Sequence, residues 1–111
     1  MSDCLFCRIA AGELPADVVY QDEHCVVFKD IHPRARVHLL VIPREHIESL
    51  NELQPEHNAL LAHMMQRLPE LARQQGLETG FRTIINTGRG GGQEVFHLHI
   101  HLLGGGALSG F

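Results

Sequence analysis

Between residues 97 and 103 the chain reads His-Leu-His-Ile-His-Leu-Leu, with polar and apolar positions alternating at a period of two. That is the side-chain period of a β-strand. A strand here points Leu98, Ile100 and Leu102 into a core and lines His97, His99 and His101 along the opposite face, ~6.6–6.8 Å apart. A helix would scatter the three rings, because positions i and i+2 do not face each other. Residues 18–21 and 25–29 read as two further strands, a hairpin turning through Asp22-Glu23-His24. In the second of them Cys25, Val27 and Lys29 share one face, and Val26 and Phe28 the other. Residues 38–42 are a nearly unbroken apolar run ended by Pro43, as expected of a central strand covered on both faces. Residues 81–86 predict a fourth strand, leading through a loop at 87–92 towards the histidine repeat.

Helical spacing occurs twice. Residues 4–11 predict a short helix with Leu5, Phe6 and Ile9 on its apolar side and Gly12 placed to end it in the left-handed conformation. Residues 55–75 predict the main helix, with Pro55 in the favourable first turn. There Leu60, Leu61, Met64, Leu68, Leu71 and Ala72 keep 3–4 spacing and should cover the sheet, and Gly76 ends the run. Pro69 is expected to kink this helix or split off its last turns. His57 and His63 show no partner pattern and read as solvated. The expected architecture is α+β: about five antiparallel strands, one long helix across one face, and a short N-terminal helix.

Composition changes the picture mainly by exclusion. A length of 111 residues suits a single domain over 1–111, with no room for a second core. The net charge of −4 argues against a nucleic-acid surface, which shows as a basic patch. No apolar run approaches the ~20 residues needed to span a bilayer, and no charged-then-apolar leader opens the chain, so no membrane partner is expected. Three cysteines, an odd number, do not make a disulfide framework. A reduced, cytoplasmic compartment is the simplest reading.

Residue type alone leaves the role of the histidine row open. It could be a solvated strand face. Several imidazoles on one face could bind zinc. A neutral imidazole could also attack phosphorus as a nucleophile, its other nitrogen held by a hydrogen bond that fixes the tautomer. The preceding Gly88-Arg89-Gly90-Gly91-Gly92 adds weight to the chemical readings, since successive backbone N–H groups beside histidines make a cradle for phosphate, and Arg89 is the loop's fixed positive charge. Cys4-Leu5-Phe6-Cys7 is a Cys-x2-Cys pair: two reduced packing thiols, or half of a structural zinc site that needs two more ligands. Asp30, at a strand end, is ordinarily a turn residue, although a carboxylate also has the two acceptor oxygens that vicinal hydroxyls require.

Residues 97–103 match the His-φ-His-φ-His-φ-φ signature of the histidine-triad (HIT) superfamily. Asp30-Ile31-His32-Pro33, His38-Leu39-Leu40-Val41-Ile42-Pro43, Asn86-Thr87-Gly88 and Gly91-Gly92-Gln93-Glu94-Val95-Phe96 fall in that family's order and spacing. The chain therefore resembles HIT proteins over almost its whole length, and looks most like the Hint branch of nucleoside phosphoramidate hydrolases. The resemblance implies a homodimer with a continuous sheet. It implies a purine nucleotide-binding hydrolase that cleaves the P–N bond of nucleoside 5′-phosphoramidates through a nucleotidyl-histidine intermediate, releasing AMP or GMP.

Site roles follow from the same resemblance. His99 would be the nucleophile, His101 would stabilise the phosphate oxygens, His97 would serve structurally, and His38 would be a fourth imidazole of the active site. Asp30 would hold the ribose hydroxyls, and Phe6, Ile9, Phe28 and Ile31 would sandwich the base. Asn86 and Gln93 would bond the phosphate end, with Gly92, Glu94 and Val95 completing the nucleotide site. Glu94 stands where some Hint proteins have serine, which leaves the route of the leaving-group proton open. The chemistry needs no metal cofactor; a structural zinc would take Cys4, Cys7, His46 and His97. Dinucleoside polyphosphate hydrolysis and a regulatory nucleotide-binding module with little turnover are the alternatives in the same pocket. A zinc-dependent hydrolase is disfavoured, because the histidine row leaves no evident general base beyond Glu94. Many Hint proteins carry a longer C-terminus that contributes to substrate selection; here residues 104–111 read as a short, mobile tail.

Overall fold

The computed structural model describes residues 3–110; Phe111, the last residue of the expected tail, lies outside them. Strands β1 (Val18–Gln21) and β2 (Cys25–Lys29) form the expected hairpin. Asp22 makes its turn, with Oδ1 accepting the backbone N–H groups of His24 and Cys25 at 2.8 and 2.9 Å. The other oxygen accepts the Tyr20 hydroxyl at 2.6 Å and His63 Nε2–H at 2.7 Å. Partial burial pushes the Asp22 carboxyl pKa up, but these hydrogen bonds outweigh it and hold the group well below the usual carboxylate range. The Asp22 carboxylate thus ties the turn to Tyr20 of β1 and to His63.

Strands β3 (Val37–Pro43), β4 (Arg82–Ile84) and β5 (Ile100–Gly104) complete a five-stranded antiparallel sheet in the order β1-β2-β3-β5-β4. As the apolar run implies, β3 is buried at all seven positions. Both β4 and β5 are shorter than the sequence pattern suggests. Their ladder ends at the pair Ile84 and His101. Before it, Leu98 N–H bonds the Ile47 carbonyl at 2.6 Å, and residues 97–99 belong to no strand. The alternation survives nonetheless: Leu98, Ile100 and Leu102 are 1%, 0% and 0% exposed.

The two faces of the sheet are covered unequally. Cys25, Val27, Leu39, Val41, Leu98, Ile100 and Leu102 pack under helix α2 (Asn58–Gln74), whose Met64, Leu68, Leu71 and Ala72 form the predicted stripe. Cys25 is sealed in this layer, and burial, followed by the nearby Asp22 charge, pushes its thiol pKa up to about 12. On the other face Val26, Phe28, Leu40 and Ile42 meet Phe6 of helix α1 (Leu5–Ala10). Six residues of helix cover only part of this face, and the remainder is an open cleft. Gly12 closes α1 at φ +77°, the left-handed conformation expected of it. Arg44 clamps α1 to the hairpin, donating to the carbonyls of Ala10 and Asp22 at 2.7 Å each.

Two sequence expectations are corrected. Of the two outcomes expected at Pro69, splitting off the last turns does not occur: α2 runs through it from Asn58 to Gln74. Pro69 and Met65, whose carbonyl loses its partner, both lie on the exposed side, while the buried stripe continues on either side of them. His57 and His63 are not solvated free rings. His57 is buried, accepting Gln54 N–H at Nδ1 and donating from Nε2 to Glu45 at 3.0 Å, and His63 joins α2 to Asp22. Among the described residues no helix is long and apolar enough to cross a membrane.

Candidate active site

The open face places its side chains in rows set by strand register. Phe28, Leu40, His101 and Ile84 are cross-strand partners in one row, and His38, Leu103 and Arg82 in the next. Alternation puts His99 on the same face, one step before His101. Above these rows lies a cleft of about 1200 Å³, walled on one side by Leu5, Phe6 and Ile9 of α1. Of the residues singled out for nucleotide or catalysis, Phe28, Asp30, Ile31, His38, Asn86, Gly92, Glu94, Val95, His99 and His101 line it. His97 and Gln93 do not.

Hydrogen-bond partners fix the tautomers around the cleft. Arg34 N–H donates to His38 Nδ1 at 3.0 Å, so the proton of neutral His38 is on Nε2. Burial lowers the His38 pKa, against the opposing pull of Asp30, whose Oδ2 lies 3.4 Å from Nε2. His38 Nε2–H then points at His101 Nδ1, 2.9 Å away, which leaves His101 with its own proton on Nε2. Burial first, then the neighbouring His99 and His38, depresses the His101 pKa to about 4, so this relay is neutral at ordinary pH. His99 donates from Nδ1 to the His97 carbonyl at 2.7 Å, and its Nε2 therefore carries a lone pair. Phe6 packs edge-on against the His99 ring, centroids 5.2 Å apart, and holds its plane.

The glycine loop is shaped from behind. Gly88 and Gly92 take φ of +75° and +90° around a tight turn at Arg89–Gly91, conformations that a side chain would strain. Gln93 is 4% exposed and fully engaged with main chain: Oε1 accepts Gly88 N–H at 2.8 Å, and Nε2 donates to Glu48 and Val95 carbonyls at 2.7 and 3.0 Å. It positions the loop and presents nothing to the cleft. Arg89 is exposed and off the cleft wall.

His97 faces a different set of groups. Its Nε2–H donates to the Pro43 carbonyl at 2.8 Å, and burial lowers its pKa, so Nδ1 carries a lone pair. That nitrogen lies 3.3 Å from Cys4 Sγ, 3.5 Å from Cys7 Sγ and 3.3 Å from His46 Nδ1, and Cys7 Sγ is 3.3 Å from His46 Nδ1. Zinc bonds of ~2.3 Å to sulfur and ~2.0–2.1 Å to nitrogen give tetrahedral edges of ~3.3–3.6 Å for N···N and S···N. The four donors fit such an ion. Cys4 also caps α1, accepting Cys7 N–H, which ties this cluster to the helix that walls the cleft.

Sequence reasoning passed over Arg34, Leu40, Arg82, Ile84, Leu103 and Leu108, all on the cleft wall. Arg82 was readable: it precedes Asn86 by four on a predicted strand and so shares its face. The tail, expected to be mobile, contributes Ala107, Leu108 and Ser109 to the same wall.

Such a fold, with such a histidine row, defines a class. The chain matches the protein family described as "Scavenger mRNA decapping enzyme C-term binding" over residues 3–109. It is 58% identical over 104 residues to Protein HitA of Neisseria gonorrhoeae, covering 94% of this chain and 97% of that protein. It is 44% identical over 107 residues to the purine nucleoside phosphoramidase of Escherichia coli strain K12, covering 96% and 90%. A HIT family hydrolase from Legionella pneumophila superposes with a TM-score of 0.94 at 47% identity, covering 96% of each chain. A Zn-bound histidine triad family protein from Mycobacterium smegmatis superposes with a TM-score of 0.78 at 40% identity, covering 91% of this chain and 73% of that one. The chain belongs to the HIT family. Within it, it is a HIT hydrolase.

Proposed function

We propose that this chain, as one HIT domain over 1–111, hydrolyses purine nucleoside 5′-phosphoramidates at the P–N bond. The observation that carries the reading is the His99 ring: Nδ1–H is spent on the His97 carbonyl, which leaves Nε2 as a lone pair in the cleft floor beside neutral His101. The name of the Escherichia coli relative supports the substrate class. His99 Nε2 attacks phosphorus, an N–P bond forms, and the original P–N bond breaks. The departing nitrogen takes one proton and leaves as an amine. Water then attacks phosphorus, releases the nucleoside monophosphate and frees the ring, and the proton shed by water balances the one consumed. The His101 Nε2–H, supplied through His38, stabilises charge on the phosphoryl oxygens or the leaving nitrogen. Asp30 at the β2 end accepts the ribose hydroxyls, and Phe6 and Phe28 hold the base.

A zinc ion on Cys4, Cys7, His46 and His97 would cross-link α1 to the triad segment and supply no chemistry at phosphorus. We place the enzyme in the cytoplasm as a homodimer, a second copy extending the sheet from the outer edge of β4, where Phe81 and Ile84 are exposed. Hydrolysis of adenosine 5′-phosphoramidate by wild type and His99→Ala, each with and without chelator, tests the mechanism. Turnover that survives chelation and vanishes in the variant is expected. Turnover lost on chelation with the fold intact overturns it.

A further inference from the structure

Helix α1 is fastened at its two ends by different means. At its C-terminal end Arg44 donates to the Ala10 and Asp22 carbonyls at 2.7 Å each. At its N-terminal end Cys4 and Cys7 meet His46 and His97, and the ligand atoms of these four residues all lie within 4.8 Å of one another. Phe6 stands between the two cysteines in the chain and is 5% exposed. Its ring meets those of Phe28, His97 and His99, with centroids 5.5, 6.0 and 5.2 Å apart. A helix of six residues is too short to persist undocked, so its fastenings decide whether the cleft keeps this wall. Of the two, only the sulfur end has redox chemistry. Cys4 and Cys7 are half-buried, and the cluster opens to solvent at His46, which is exposed. Cys25, in the other layer, is 0% exposed.

We propose that Cys4 and Cys7 are a peroxide-sensitive latch on the cleft wall: oxidation to a Cys4–Cys7 disulfide removes two of the four metal donors, frees the N-terminal end of α1 and weakens nucleotide binding. The effect on nucleotide rests on the reading of the cleft given above. One sulfur attacks the O–O bond of a peroxide, becomes a sulfenic acid and releases water. The second sulfur displaces the new hydroxyl as another water, and the S–S bond forms. Two electrons pass from sulfur to peroxide, and two thiols and one peroxide give one disulfide and two waters. Three residues apart on one helical turn, the two side chains are neighbours, as this exchange requires. An S–S bond of ~2.05 Å draws both sulfurs off the corners of a tetrahedral site, and His46 and His97 alone are half the donors that structural zinc takes. Helix α1 then turns on the Arg44 clamp and carries Phe6 away from His99. The His99 tautomer is kept, because its partner is a main-chain carbonyl, so the loss falls on affinity. By linkage, nucleotide in the cleft raises the affinity for metal by the same factor that metal raises the affinity for nucleotide.

The test treats the reduced, zinc-loaded protein with a small excess of hydrogen peroxide. It reads peptide mass, zinc release to a chromophoric chelator, amide hydrogen exchange and AMP affinity by calorimetry. The peptide spanning Cys4 and Cys7 is expected to be lighter by two hydrogens, with zinc released. Exchange across α1 should quicken roughly 10-fold or more while that of α2 stays unchanged, and the Kd for AMP should rise roughly 10-fold. A thiol reductant with zinc restores all four readings. Cys4→Ser, whose hydroxyl still caps α1, starts with the weakened AMP affinity and does not respond to peroxide. Zinc retained with no disulfide formed overturns the latch, as does a disulfide that leaves α1 exchange and AMP affinity unchanged. Sulfinic acids that reductant cannot reverse, in place of the disulfide, also overturn it. Quickened α1 exchange in a protein that binds AMP in neither form sustains the latch and overturns the nucleotide reading alone.

Discussion

His97 and His99 lie two residues apart, carry the same ring, and hold their protons on opposite nitrogens. His97 gives Nε2–H to the Pro43 carbonyl and keeps a lone pair on Nδ1, beside two sulfurs and His46. His99 gives Nδ1–H to the His97 carbonyl and keeps its lone pair on Nε2. In each case a carbonyl, which can only accept, decides which nitrogen remains nucleophilic. His101 is the third case: its tautomer is imposed by His38, whose own tautomer is imposed by the Arg34 amide. A strand-like repeat therefore supplies equal groups at equal spacing, and the surrounding main chain leaves each with its lone pair on a different nitrogen or aimed at a different neighbour.

Deleting the attacking lone pair should have the largest effect. His99→Ala is expected to lower kcat/KM at least ~10⁴-fold while AMP affinity, by calorimetry, changes only a few-fold. Turnover close to wild type would mean another nucleophile. Cutting the relay comes next: His38→Phe should cost roughly 10²-fold in kcat with little change in KM, and an unaffected kcat would remove His101's proton from the mechanism. On the ligating side, stripping metal should lower the melting temperature by roughly 10 °C, reversibly with zinc, yet reduce kcat less than about tenfold. A metal-stripped protein with unchanged melting would leave the four donors as a hydrogen-bonded cluster.

The smallest effect is one of pH. The folded His101 pKa of about 4 lies below the ordinary 6.5, so between these values the unfolded chain binds more protons than the folded one. Stability therefore falls as pH drops through that window, by roughly 5 °C in melting temperature, and His101→Phe should flatten the slope. A slope of equal steepness in the variant would place the titrating groups elsewhere.

What the sequence disclosed was what local period carries. Leu98, Ile100 and Leu102 on one face, Cys25 and Val27 opposite Val26 and Phe28, and the Met64 stripe of α2 all follow from neighbours a few positions away. His57 and His63 were misread because their acidic partners stand 12 and 41 residues distant, beyond any window of periodicity. The same holds for Gln93, whose amide answers the Glu48 carbonyl 45 residues away. Pro69 could not be judged without knowing that its side of the helix faces water. His46 entered the cluster through family resemblance alone, since nothing around it marks a ligand.

Cys25 gives the molecule a built-in clock. Its thiol is sealed beneath α2 and stays protonated far above neutrality, so an alkylating reagent reaches it only when sheet and helix part. Cys4 and Cys7, half-buried at the other face, sample instead the loosening of α1. Labelling followed by mass at each cysteine thus times the opening of the closed layer and of the cleft wall separately, in one unmodified chain.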